Sequence, residues 1–171
     1  MEQFAFRIKV SDILLSPGKE ETMKLENKKT TQIKNLHESW VNWDVLIRWL
    51  DEKTVLVELN ITAYLDEICE VSGNDYVQEI KVESYQSKFS LPEENIIDLI
   101  QEGDMWEISE RDKTIDIEEM VVNSILLNKP TVNKSPEIIE RDKNNPVEDY
   151  DSYLERTQSN NTITWVFKDK E

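Results

Sequence analysis

Two long runs of alternating residues, joined by three polar positions, constrain this fold more than any other feature of the sequence. In the first, Val41, Trp43, Val45, Ile47 and Trp49 recur at period two, with Asn42, Asp44 and Arg48 on the opposite face. Asp51-Glu52-Lys53 supplies the turn. In the second, Val55, Val57, Leu59, Ile61, Ala63 and Leu65 alternate with Glu58, Asn60, Thr62 and Asp66. Successive strand side chains point to opposite faces, so both runs can bury one face and wet the other. The reading is a long β-hairpin with one solvated face.

Its neighbours extend the pattern. Ser72-Gly73-Asn74-Asp75 reads as a turn, and Tyr76 to Leu91 as a third antiparallel strand. Tyr76, Ile80 and Val82 share one phase of that strand, whereas Tyr85, Phe89 and Leu91 share the other. A bulge near Ser84 reconciles the two. Phe4, Phe6, Ile8 and Val10 alternate with Arg7 and Lys9 in an opening strand. Ser11 or Asp12 is placed to cap a helical turn over Ile13-Leu14-Leu15, ended by Ser16-Pro17-Gly18. The polar stretch through Lys28, Lys29, Lys34 and His37 reads as a strand edge followed by a loop.

Two helices are expected after the third strand. Ser90-x-x-Glu93 resembles a capping box opening a helix over Ile96, Ile97, Leu99 and Ile100, with Gly103 at its end. Met105 to Ile108 suits a short strand. Asp116-x-x-Glu119 then introduces a helix carrying Ile117, Met120, Val121, Ile125 and Leu126, stopped by Pro130. The fold class is α+β: an antiparallel sheet built on the central hairpin, barrel-like closure being open to it, with one or two packed helices. Residues 1–130 form the domain. Residues 131–171 read as an acidic, partly flexible arm, because 131–149 is rich in Asn, Lys, Glu and Pro. Within the arm, Tyr150, Tyr153 and Leu154 suit one helical turn, and Ile163, Trp165 and Phe167 a short docking strand.

Charge limits the partners. The chain has 36 Asp/Glu against 20 Lys/Arg, a net of −16. Residues 1–92 carry 16 acids and 11 bases, and residues 93–171 carry 20 and 9. A surface of that sign repels nucleic acid as a whole and favours a partner with a basic surface. One cysteine, Cys69, excludes an intramolecular disulfide and fits a reducing compartment. No apolar run reaches the roughly 20 residues of a membrane span, so no membrane partner is expected and the cytoplasm is the expected location.

No catalytic constellation can be assembled from the motifs. Gly18, Gly73 and Gly103 are isolated, which removes phosphate loops and dinucleotide fingerprints, and no cofactor is expected. His37 is the single imidazole and sits among polar residues, as a solvated histidine would. One His and one Cys fall short of a zinc ligand set. Asp66, Glu67, Glu70 and Asp75 crowd the hairpin end near Cys69, a place a hard cation might visit, but their spacing follows no calcium loop. Cys69 reads as a small core residue. The candidates for partner contact are Trp40, Lys28, Lys29, Lys34, Asp66 and Glu70. Large aromatics anchor interfaces, and Asn27 to His37 is a basic island with three lysines and no acid.

The order of these segments resembles the YceD-like family, the bacterial and plastid large ribosomal RNA subunit accumulation proteins. Three stretches carry the likeness. The first is Ile8 to Val10 leading into Asp12-Ile13-Leu14-Leu15-Ser16-Pro17-Gly18-Lys19-Glu20. The second is Leu65-Asp66-Glu67-Ile68-Cys69-Glu70, where relatives often carry Cys-x-x-Cys. The third is Ile115-Asp116-Ile117-Glu118-Glu119-Met120-Val121 running through Ile125-Leu126-Leu127-Asn128-Lys129-Pro130. This chain has Ser72 in place of the second middle cysteine, and Thr131-Val132-Asn133-Lys134 where many relatives have cysteines, so no metal role is carried over. The resemblance implies a non-enzymatic role in accumulation or processing of 23S ribosomal RNA, with a basic ribosomal protein, assembly factor or precursor RNA as partner. Two other readings compete. One is a general protein-interaction or chaperone-like module, and the other a metal-assisted enzyme using Asp66, Glu70 and Asp75.

Overall fold

In a computed structural model, which describes residues 6–103 and 105–145, eleven elements follow one another. They are β1 (Arg7–Lys9), α1 (Ser11–Leu14), β2 (Glu20–Lys29), β3 (Leu36–Trp49), β4 (Thr54–Ile68), β5 (Asp75–Ser90), α2 (Glu94–Gln101), β6 (Trp106–Glu107), β7 (Thr114–Asp116), α3 (Glu118–Asn128) and α4 (Pro136–Asn144). Five strands make the main sheet in the order β2-β3-β4-β5-β6, and β1 pairs with β7 in a separate two-stranded sheet. β2 to β5 are antiparallel, whereas β6 joins β5 in parallel, with Phe89 opposite Trp106. The fold is therefore α+β on a long hairpin. β2 and β6 lie at opposite edges, so the sheet stays open and the barrel-like closure is not formed.

The hairpin is as its period demands. β3 and β4 pair from Val41–Ala63 to Trp49–Val55. Val55, Val57, Leu59, Ile61, Ala63 and Leu65 are buried on one face. The turn is fixed by Asp51, whose Oδ1 accepts the Lys53 N–H at 2.8 Å. Trp43, Val45 and Ile47 join that buried face, and Ile13, Leu14, Ile8, Ile115, Met120, Val121 and Ile125 cover it from α1, the small sheet and α3. Phe6 meets Trp43 edge to face, with ring centroids 4.6 Å apart. Wrapping one sheet face and leaving the other wet is the packing that alternation predicts.

The phase change in β5 is resolved by a bulge at Ser84. Ile61 pairs with Val82 and Leu59 with Tyr85, so Glu83 and Ser84 stand against Asn60 alone. Ser84 takes φ +51°, a left-handed conformation that costs a non-glycine residue about 1 kcal/mol. It is held there by two bonds: the Asn60 side-chain oxygen accepts its N–H at 2.9 Å, and its hydroxyl donates to Glu58 at 3.2 Å.

Several local expectations need correction. His37 lies on β3 rather than in a loop, since β3 begins at Leu36. Ser90 does not cap α2. That helix starts at Glu94 with Glu93 at its N-cap, because β5 runs on through Ser90, which pairs with Thr54. The Ser90 hydroxyl is buried against the Thr54 hydroxyl at 3.1 Å. Ser11 and Asp12 lie inside α1, whose N-cap is Val10. Asp116 does serve α3, accepting the Glu118 N–H at 3.0 Å, but from the end of β7 and with Ile117 at the N-cap.

The polar run after Pro130 holds more structure within residues 131–145 than its composition suggested. Pro136 opens α4, and Ser135 and Ile138 are buried. The polar composition misled because Asn133 is bonded to the acidic end of the hairpin rather than to water. The expected turn at Tyr150, Tyr153 and Leu154 and the strand at Ile163, Trp165 and Phe167 lie outside the described residues, as does Phe4. Among the described residues no helix is long and apolar enough to cross a membrane.

Candidate interaction surface

Antiparallel register brings the candidate contact residues to one end of the main sheet. Lys28 pairs with Val41 and Lys29 with Trp40 through their backbones. Lys34 is exposed in the loop from β2 to β3. Asp66 stands near the end of β4, opposite Val77 of β5, and Glu70 follows in the turn. Trp49, expected in the core, is only partly buried, whereas Trp43 is fully inside.

The carboxylates of this end do not converge. Asp66 and Glu67 are successive strand residues and point to opposite faces. Asp66 faces outward, where its Oδ1 lies 2.7 Å from His37 Nδ1. Glu67 faces inward, in phase with Ala63 and Leu65, and its side chain is only 7% exposed. Three donors reach it: the Lys129 ammonium after α3, the Asn35 amide at 2.7 Å and the Asn133 amide at 2.9 Å. A buried carboxylate is tolerable only with such company.

Around that group the end of the sheet is laced together. The Glu70 N–H donates to the Asn133 carbonyl at 2.8 Å, and Glu70 Oε1 accepts the Asn133 N–H at 3.1 Å. The Asp66 N–H donates to the Asn35 carbonyl at 2.7 Å. Gly73, at φ +72°, closes the turn by donating its N–H to the Cys69 carbonyl at 2.8 Å, a conformation that suits glycine. Among the described residues no three or more His, Cys, Asp or Glu side chains are grouped to hold a metal ion. Asp66, Glu67 and Glu70 each have a partner within the chain instead.

Cys69 is buried, as a core residue would be, yet its environment is polar. The Ser72 hydroxyl, supported by the Ser135 N–H and hydroxyl, pulls the thiol down to about 6. Sγ also accepts the Ser72 N–H at 3.4 Å. Burial first, then the nearby negative charges of Glu67, Cys69 and Glu70, push the Tyr76 phenol up.

The acid excess lies elsewhere. Residues 93–119 hold eleven Asp/Glu against two Lys/Arg, a net of −9, whereas residues 131–171 hold nine against six. The acidic region is thus chiefly α2, β6 and the turn into β7, not the C-terminal arm. α2 and β6 sit where β5 ends, with Ser90 paired to both Thr54 and Glu107, the end of the sheet opposite to Asp66. Acids thus stand at both ends of the sheet, and the Asp66 end carries Lys28, Lys29 and Lys34 as well.

No family model, curated protein or solved structure matches this chain. Its own chemistry therefore carries the functional argument. Sequence reasoning missed Asn35, Lys129, Asn133 and Ser135, which are scattered polar residues without a motif. The one available signal was Glu67 itself, an acid falling in the buried phase of β4.

Proposed function

We propose that this protein is a non-enzymatic, cytoplasmic factor in large-subunit ribosome biogenesis, supporting 23S rRNA accumulation or processing by holding a basic ribosomal protein, an assembly factor or the precursor RNA. The ribosomal setting rests on the sequence resemblance to the YceD-like family. The observation that carries a binding role is the run of exposed acids on and after α2, namely Glu94, Asp98, Glu102, Glu107 and Glu110, which follows the Ser90 end of the sheet. A concentrated acidic surface steers basic partners and speeds their encounter.

A second reading is a general interaction module. It is favoured by the outer edge of β2, ten residues long and, among the described residues, paired only on its β3 side, since an open edge can accept an added strand. Affinity capture from a bacterial lysate at low and moderate salt, with protein and RNA identified together, separates the two. Salt-sensitive enrichment of large-subunit proteins or precursor 23S RNA is expected. Recovery of unrelated partners without ribosomal enrichment at either salt refutes the ribosomal reading and favours the module.

A further inference from the structure

We infer that Thr162–Phe167 of this same chain docks as an added strand along the outer edge of β5, in the cleft between that edge and α4. The inference does not depend on the ribosomal reading.

The cleft measures about 600 Å³. β5 lines it with residues of both phases, Tyr76 and Gln78 from one face and Val77 and Glu79 from the other. Successive strand residues point to opposite faces, so the cleft runs along the backbone edge rather than over either face. Ile139, Lys143 and Asn144 of α4 stand on the other side. Val77 and Ile139 are 43% and 40% exposed, so both walls offer an apolar side chain to an occupant.

The edge is unpaired along this cleft. β6 joins β5 at Phe89 and Ser90, and among the described residues no strand pairs with that side of β5 before them. The turn sets the hydrogen-bond phase. Cys69 donates its N–H to the Asn74 carbonyl at 2.9 Å, so by antiparallel alternation Tyr76, Gln78 and Ile80 exchange bonds with β4, while Val77 and Glu79 turn their backbone groups outward. Asp66, opposite Val77, sends its N–H away from β5 to the Asn35 carbonyl, as the same alternation requires. The Glu79 carbonyl accepts the Gln78 side-chain amide at 2.9 Å. The Val77 N–H and C=O and the Glu79 N–H are placed to pair with a further strand, and a bare edge of this kind invites one.

The chain itself supplies a fitting strand close by. The described residues end at Asn145, directly after α4. Residues 146–161 can span up to about 50 Å, several times the length of α4, about 14 Å. Tethering holds the segment at an effective concentration on the order of millimolar, which a partner or a second copy would have to match. Thr162-Ile163-Thr164-Trp165-Val166-Phe167 consists entirely of β-branched and aromatic residues and carries no charge. Such residues favour strands, and the alternation gives Ile163, Trp165 and Phe167 one face to set against Ile139.

The test is residue-resolved amide exchange by NMR on the full chain. The Val77 and Glu79 amides should exchange at least about tenfold more slowly in wild type than in the variant combining Thr164→Pro and Trp165→Pro. Two successive prolines remove an inward donor whichever way the strand faces. The Ile80 amide, bonded to β4, should change by less than about twofold. Ile139→Glu, on the α4 wall, should speed Val77 and Glu79 in the same way. About tenfold dilution should leave their protection unchanged, because tethering does not depend on concentration. Equal exchange in wild type and the proline variant, or a loss shared equally by Ile80, overturns the docking. Protection that falls on dilution assigns the cleft to a second copy and overturns it as well. Protection that survives Ile139→Glu removes the strand from the cleft and refutes its placement.

Discussion

Removing Glu67 tests whether the end of the sheet is held by its buried carboxylate. Glu67→Ala deletes the acceptor of three donors, Lys129, Asn35 and Asn133. Stripping one partner from a buried ion pair costs about 3–5 kcal/mol. The Lys129 side chain is 29% exposed, so it can turn to water, which places the cost near the lower bound, about 3 kcal/mol. Glu67→Gln keeps the volume and removes the charge. Its amide could donate to Asn133 Oδ1, which is buried without a partner, so the loss should be smaller, about 1–2 kcal/mol. Urea unfolding at pH 7 measures both, the slope being compared to confirm an unchanged unfolding unit. A double-mutant cycle with Lys129→Gln then isolates the pair. If Glu67→Ala costs less than about 1 kcal/mol, or Gln costs as much as Ala, the carboxylate is not the tie described above.

Two further outcomes follow from other sites. The Cys69 thiol is lowered from 9.0 to about 6 in the fold, so its contribution is present above the unfolded value and lost as pH falls through about 6; the urea midpoint of wild type relative to Cys69→Ala should rise from pH 6 to pH 9, and a constant difference refutes the shift. Asn60→Ala removes the acceptor of the Ser84 N–H and should cost about 1 kcal/mol by the same unfolding assay, with loss of the amide's hydrogen-exchange protection as the local readout; unchanged protection at Ser84 would show the bulge does not depend on that bond.

The sheet was legible because burial on one face leaves a period-two record. Val55 through Leu65 declare an inner face, and the slip of phase between Val82 and Tyr85 declares a bulge. Even the place of Glu67 could be read from that period, but not its partners. Asn35 and Asn133 lie 32 and 66 positions from it, and nothing local marks them. Capping signals failed for a related reason. Ser90 has the right neighbours for a helix start, yet its hydroxyl is claimed by Thr54 across the sheet, and long-range pairing overrode the local motif. The segment of α4 was not legible because composition reports only affinity for water. It does not see that Asn133 replaces water with Glu67 and Glu70. The place of the α2 acids needed both levels, since their number is plain in the sequence and only the strand order shows that they follow the Ser90 end of the sheet.

The pairing of β1 with β7 has a consequence for how the chain is made. Ile8 sits opposite Ile115, so β1 leaves the ribosome about a hundred residues ahead of its mate. At roughly 5–20 residues per second, Phe6, Ile8 and Val10 wait for about 5–20 s with no cover. The meander β2 to β5 is complete well before that, with the part of its apolar face that α3 covers still bare. Slow or interrupted synthesis should therefore expose this chain to chaperones and aggregation during one particular interval, after Ser90 has emerged and before Ile125.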